Sequence, residues 1–200
     1  PQYTNFAYPI PLDPPHVPNN NPAGVYTRTF NMDKDANSRL YLNFEGVDTF
    51  FYLYVNGTFV GVGQGAHLPS EFEITRYIRQ GENNITVIVF KWAWSTYLED
   101  QDFYRLSGIF RDVYILKRCR SHVRDVKVKT TQDTVCAGAF LTGEVEGSTV
   151  AFELYDKNNK LLQSVSCLAE HDTATAHFTV DNPILWNAEK PYLYELIFEY

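Results

Sequence analysis

The sequence predicts an all-β protein built from two sandwiches. Three observations carry this. Apolar and polar residues alternate with period two in run after run, and β-branched and aromatic residues fill those runs. No stretch of a dozen residues repeats its apolar positions at 3.6, the helical period.

The first 22 residues stand apart. Pro9, Pro11, Pro14, Pro15, Pro18 and Pro22 lie there beside Asn19, Asn20 and Asn21. Proline fixes φ and has no N–H to give a ladder, so an extended surface arm is expected rather than a strand or helix. Such an arm is either a connector or a functional segment.

Strands are expected next over residues 25–30, 39–44, 50–55, 59–62, 71–75, 86–90 and 112–116. Between the third and fourth lies Asn56-Gly57, a pair that readily takes φ > 0 and so marks a tight hairpin. The polar, basic stretch Lys117-Arg118-Cys119-Arg120-Ser121-His122 then separates this first set from a second. Strands of the second set are expected over 123–128, 139–145, 149–155, 161–167, 173–180 and 194–200, with Asp156-Lys157-Asn158-Asn159-Lys160 as a hairpin connection. Short strands at this spacing between turn signals suit a β-sandwich. The expected domains are residues 1–119 and 120–200. The last expected strand runs to the final residue, and an edge left there would invite pairing, so the sequence reads as part of a longer protein.

Composition narrows the function. Of 200 residues, 44% are hydrophobic, with 14 Phe, 14 Tyr and 3 Trp, which excludes a disordered chain. Seventeen basic against 24 acidic residues give a net charge of −7 with no basic stripe, so nucleic acid is not an expected partner. No run approaches the length of apolar residues that spans a membrane, and none is an expected partner. The opening Pro1-Gln2-Tyr3-Thr4 shows no basic n-region or apolar h-region, so no signal peptide is visible. Cys119, Cys136 and Cys167 form no CxxC pair and leave an odd count, and the five histidines are scattered. Reduced, partly buried thiols are expected, no zinc site is, and unpaired cysteines point to the cytoplasm over the periplasm.

The densest polar constellation is Tyr97-Leu98-Glu99-Asp100-Gln101-Asp102. Three carboxylates in four residues repel one another unless a cation, an arginine or a hydroxyl-rich ligand is present, and oxygen-rich clusters suit hard cations. Trp92, Trp94, Tyr97 and Phe103 offer flat apolar faces of the kind sugar rings pack on. A polyol or metal site and a solvated acidic loop paired with Arg105 and Arg111 are both open readings. Glu99 and Asp102 are too near in sequence to flank a scissile glycosidic bond convincingly. Asn56-Gly57-Thr58 and Asn84-Ile85-Thr86 match the glycosylation tripeptide, but the first is explained as a hairpin turn. The glycines at 57, 61, 63 and 65 lead into Leu68-Pro69-Ser70 and not into a helix, so they form no phosphate loop.

These residues carry a resemblance. Tyr3-Thr4-Asn5 with Tyr8-Pro9-Ile10, then Pro14-Pro15, Val17-Pro18, Asn21-Pro22 and Gly24, resemble the bacterial β-galactosidases of glycoside hydrolase family 2. So do Leu68-Pro69-Ser70-Glu71-Phe72, Gly81-Glu82-Asn83, the block from Tyr97 to Asp102, and Ser107-Gly108-Ile109-Phe110-Arg111-Asp112-Val113. Asn182-Pro183, Leu185-Trp186, Ala188-Glu189, Pro191 and Leu193-Tyr194 extend the likeness to the end of the chain.

The resemblance implies a galactose-binding-like jelly-roll domain, then an immunoglobulin-like sandwich cut before its last strands. A (β/α)8 barrel follows in the family and carries both catalytic glutamates, so no catalytic residue is expected in this chain and the piece alone is expected to be inactive. The family hydrolyses terminal non-reducing β-D-galactose residues with retention. Asn5 falls on an asparagine that hydrogen-bonds galactose, and Asp102 on an aspartate that contacts substrate and helps hold a sodium ion. Magnesium is implied only for the absent catalytic domain. The implied partners are a β-galactoside, the barrel of the same polypeptide and further copies in a homo-oligomer. Glu99 and Asp100 are left as loop supports paired with Arg105 or Arg111, and Trp92 and Trp94 as packing residues. The alternative reading is a free-standing carbohydrate-binding module with an immunoglobulin-like domain and no hydrolase activity.

Overall fold

The computed structural model describes residues 8, 10–99, 104 and 106–200. The strands are β1 (Ala23–Met32), β2 (Ser38–Phe44), β3 (Val47–Asp48), β4 (Phe50–Val55), β5 (Thr58–Gln64), β6 (Ser70–Glu73), β7 (Gly81–Phe90), β8 (Gly108–Ile109) and β9 (Val113–Cys119). They are followed by β10 (His122–Thr130), β11 (Thr134–Thr142), β12 (Thr149–Tyr155), β13 (Leu161–Leu168), β14 (Thr173–Thr179) and β15 (Glu195–Glu199). Helical structure among the described residues is confined to two 3-10 turns, Thr75–Tyr77 and Trp94–Tyr97, and no helix is long and apolar enough to cross a membrane. The fold is all-β.

The chain divides into two compact units, Pro1–Arg118 and Cys119–Tyr200. In the first, a four-stranded sheet of order β1-β7-β4-β5 faces a three-stranded sheet of order β6-β2-β9, and β3 pairs with β8 at one end. Alternation decides which side chains meet between the sheets. Phe51, Leu53 and Val55 of β4 and Val87 and Val89 of β7 point inward, against Leu40, Leu42 and Phe44 of β2. The Phe44 and Phe51 rings lie 4.9 Å apart, tilted by 50°. Phe72 meets both edge-on, as the quadrupoles of aromatic rings favour.

Asn56 and Gly57 adopt φ of +51° and +76°, the primed-turn conformation that matches the twist of a hairpin. A polar knot lies behind this turn. Asn56 Nδ2 donates to Tyr77 O and Asn83 Oδ1, both at 2.8 Å, while Asn56 Oδ1 accepts from Asn84 N–H at 2.9 Å. Asn83, only 1% exposed, donates to the carbonyls of Arg79 and Gly81 and accepts from Arg79 N–H. Every polar atom of that amide is satisfied, as burial requires.

The second unit packs sheet β10-β11-β14 on sheet β13-β12-β15. Small residues of one sheet, Ala137, Ala139, Ala174 and Ala176, receive the large Phe152 and Leu154 of the other. The hairpin at residues 156–160 is held by Asp156, whose Oδ1 accepts from Asn158 and Lys160 N–H. Those bonds, that of Lys160 first, lower the Asp156 pKa. The expected strand at 71–75 ends at Glu73, since Thr75 opens a 3-10 turn and spends its Oγ1 accepting Leu40 N–H. The expected run to residue 145 stops at Thr142, because Gly143 takes φ +101°.

Candidate functional site

The end of the first unit that bears the acidic segment is built from the exit of β7. After Phe90 the chain turns through Trp94–Tyr97, closed by Thr96 N–H to Ala93 O and Leu98 N–H to Ser95 O, with Thr96 Oγ1 accepting Ala93 N–H. Ser95 and Thr96 are buried beneath it. Tyr97 therefore stands on a fixed backbone, with its phenol directed away from the sandwich core.

The proline-rich arm is bound to this turn. Its prolines offer carbonyls but no N–H groups, so the donors come from elsewhere. Tyr97 shares its single O–H between Pro11 O at 2.9 Å and His16 O at 2.7 Å, and its oxygen accepts Asp13 N–H at 3.4 Å. Tyr8 stacks on the Tyr97 ring with centroids 5.7 Å apart and an interplanar angle of 4°, and its hydroxyl donates to Thr96 O at 3.0 Å. Further along, Asn21 closes a two-bond pairing with the Trp92 backbone, donating to Trp92 O at 2.8 Å and accepting Trp92 N–H at 3.0 Å. Lys91 N–H is accepted by Pro22 O. Ile10 anchors the apolar side of the arm and is 6% exposed.

Glu99 leaves the turn toward the 65–67 loop. Both of its carboxylate oxygens lie 3.4 Å from Ala66 N, a long, shared acceptance. Burial raises its pKa most, and the Asp48 charge adds to this, while the Ala66 N–H and His67 act in the opposite sense. Glu99, Asp48, Ala66, Lys91, Trp92 and Ser107 line a small cavity of about 20 Å³, room for one water molecule. The expected Glu99–Arg111 pairing is replaced. Arg111 Nη1 donates to Glu45 O and His67 O at 3.4 and 3.3 Å, and its guanidinium lies 5.2 Å from the Phe110 ring centroid.

Of the expected site residues, Asn5 and Asp102 both lie outside the described residues, as do Asp100, Phe103 and Arg105. The structure instead brings together their flanks, Tyr8 with Thr96 and Tyr97. Tyr97 is a clamp on the arm and not an open face for sugar. Trp92 is half-buried with Lys91 Nζ over its ring, whereas Trp94 is 49% exposed and does not serve as a packing residue. Cys136 and Cys167 are free and partly buried, and Cys119 is free and exposed. Among the described residues no group of three or more His, Cys, Asp or Glu could hold a metal ion. The arm's need for external donors was readable from its prolines, but nothing in the sequence singled out Tyr97, Tyr8 and Asn21 as the groups that meet it.

Sequence and structure comparisons bear on this arrangement. The chain is 46% identical over 200 residues to a β-galactosidase of Staphylococcus xylosus, covering 98% of this chain and 20% of that protein. It is 41% identical to a β-galactosidase of Actinobacillus pleuropneumoniae, covering 98% and 19%. The chain thus spans about a fifth of the length of these curated relatives. A β-glucuronidase of Bifidobacterium dentium, solved with coumarin-3-O-glucuronide, shares the fold with a TM-score of 0.75 at 20% identity, over 88% of this chain and 36% of that one. A β-glucuronidase of Bacteroides uniformis does so with a TM-score of 0.76 at 21% identity, over 87% and 24%. The model of the glycosyl hydrolases family 2 sugar binding domain matches residues 1–119, and a second model, glycosyl hydrolases family 2, matches residues 121–200. Together these matches take in nearly every residue, and the chain belongs to glycoside hydrolase family 2.

Proposed function

We propose that this chain is the sugar-binding part of a β-galactosidase and completes a galactoside site whose catalytic glutamates come from a barrel domain of the same polypeptide. The observation that carries the reading is the 46% identity to a β-galactosidase along 98% of the chain. The glucuronidase structures, at 20 and 21% identity, speak for the fold alone.

In this reading Asn5 and Asp102 contact the galactose hydroxyls. The clamp supports their convergence. Asn5 lies three residues from Tyr8 and Asp102 five from Tyr97. The clamp thus joins the two stretches of chain that carry them. An amide and a carboxylate held by docked segments fix the orientation of a ring before reaction, which lowers the entropic part of the barrier. A carboxylate accepts sugar hydroxyls well, and its charge suits a terminal non-reducing residue rich in donors.

Sodium is part of the same proposal: Glu99 and Ser107 line the small cavity beside this segment and carry oxygen, the donor type a hard cation takes. Asp102 would hold it, and the bound ion would offset the carboxylate's charge. The test is kinetic. The full-length protein should hydrolyse a chromogenic β-galactoside with retention, much faster than the matching β-glucuronide. Binding of galactose without hydrolysis would favour a carbohydrate-binding module and overturn the proposal.

A further inference from the structure

We infer that Tyr97 is a positioning residue of the galactoside site, acting through Asn5 by pinning the arm to the turn that leads into Asp102. The inference rests on the reading of Asn5 and Asp102 given above.

The described residues of the arm from Tyr8 to Pro22 belong to no strand, so no ladder among them holds it. Its docking depends on a few donors, and Tyr97 supplies the central one. The Tyr97 hydroxyl meets Pro11 O and His16 O, carbonyls on both sides of a turn in which His16 N–H is accepted by Asp13 O. One phenol therefore closes a loop of the arm that a run of prolines could not close with its own N–H groups. The same ring stacks on Tyr8, three residues from Asn5. The Tyr97 backbone, in turn, belongs to the hydrogen-bonded 3-10 turn whose Ser95 and Thr96 are buried, so the arm is tied to a turn packed on the sandwich.

Glu99 shares this arrangement from the other side. Its amide N–H is accepted by Ser95 O, one turn back, and its carboxylate reaches Ala66. The chain on each side of Tyr97 is thus tied down. Loss of the hydroxyl alone loosens the arm around Pro11 and His16 and leaves the turn intact.

The experiment uses the full-length protein and the variants Tyr97→Phe, Asn5→Ala and both together, assayed with a chromogenic β-galactoside. Tyr97→Phe keeps the ring and removes one shared hydrogen bond, so KM should rise about two- to tenfold with kcat little changed. The thermal midpoint should stay at the wild-type value, and a protease should cut the arm faster. In the Asn5→Ala background, Tyr97→Phe should add little, because a residue that acts through Asn5 cannot act without it. A KM unchanged in Tyr97→Phe, or effects of the two substitutions that simply add, would overturn the inference while the site stood. An Asn5→Ala enzyme with wild-type KM and kcat would overturn the reading of the site itself, and the inference with it.

Discussion

The rings of Tyr8 and Tyr97 lie parallel, 5.7 Å apart and 89 residues apart in sequence, and the Tyr8 hydroxyl donates to the carbonyl of the residue just before Tyr97. The stack joins a segment without regular structure to the one 3-10 turn that leads into the acidic cluster. Stacked aromatic pairs contribute about 0.5–1.5 kcal/mol beyond burial, and a neutral hydrogen bond about 1 kcal/mol. Tyr8→Ala should therefore raise amide exchange and proteolysis in the arm by about tenfold or more, measured on the folded protein. Exchange in the β4–β7 core should not change.

A steric prediction concerns Gly63. A Cβ built there would overlap the ring edge of Phe51, in the centre of the first unit's core. Gly63→Ala should cost about 1–3 kcal/mol by overpacking. Phe51→Leu opens a gap at the same place, so the double variant should lose less than the sum of the two single losses in denaturant titrations. Strict additivity would mean that the ring has room to move away.

Asn83 tests the polar knot. Its amide satisfies Arg79 N–H, the carbonyls of Arg79 and Gly81, and Asn56 Nδ2, all in a site closed to solvent. Asn83→Ala should destabilise the protein by about 3 kcal/mol, the cost of stranding several buried groups, read from the shift in denaturation midpoint.

Glu99 makes stability fall with pH. Burial holds its pKa above the ordinary 4.5, so the folded protein keeps the proton more tightly than the unfolded chain. Its contribution is then fully present below pH 4.5 and is lost as pH rises through the raised value. Glu99→Gln stays neutral and can still accept Ala66 N–H. Urea midpoints from pH 4 to 7 should decline less steeply in this variant than in wild type. Parallel profiles would place the titrating group elsewhere.

Period-two alternation made most strands legible, because a sheet with one buried face imposes that period directly. Phe50–Val55 and Thr149–Tyr155 run between the very residues expected of them, with Phe51, Leu53 and Val55 inward in the first. The two-residue strands Val47–Asp48 and Gly108–Ile109 were not legible, since a pair so short leaves no pattern. Thr75 has a β-branched side chain yet leaves the strand, because its hydroxyl is needed at Leu40 N–H. At the site, the family motifs pointed to Asn5 and Asp102, both outside the described residues. The Tyr8–Tyr97 clamp was hidden, because Tyr97 resembles any aromatic beside an acidic run until its partner across the fold is known. The exposed Trp94 shows the converse. Tryptophan is buried on average, but Trp94 opens a turn at the surface and stays half exposed.

The most direct test of one galactoside site built from the arm and the acidic loop is hydrolysis of a chromogenic β-galactoside by the full-length protein, wild type against Asp102→Ala, with sodium titrated. The account predicts a large loss of activity in the variant together with a weakened dependence on sodium. An unchanged rate with an unchanged sodium response would contradict it, and would leave the acidic loop as scaffold on an otherwise correct fold.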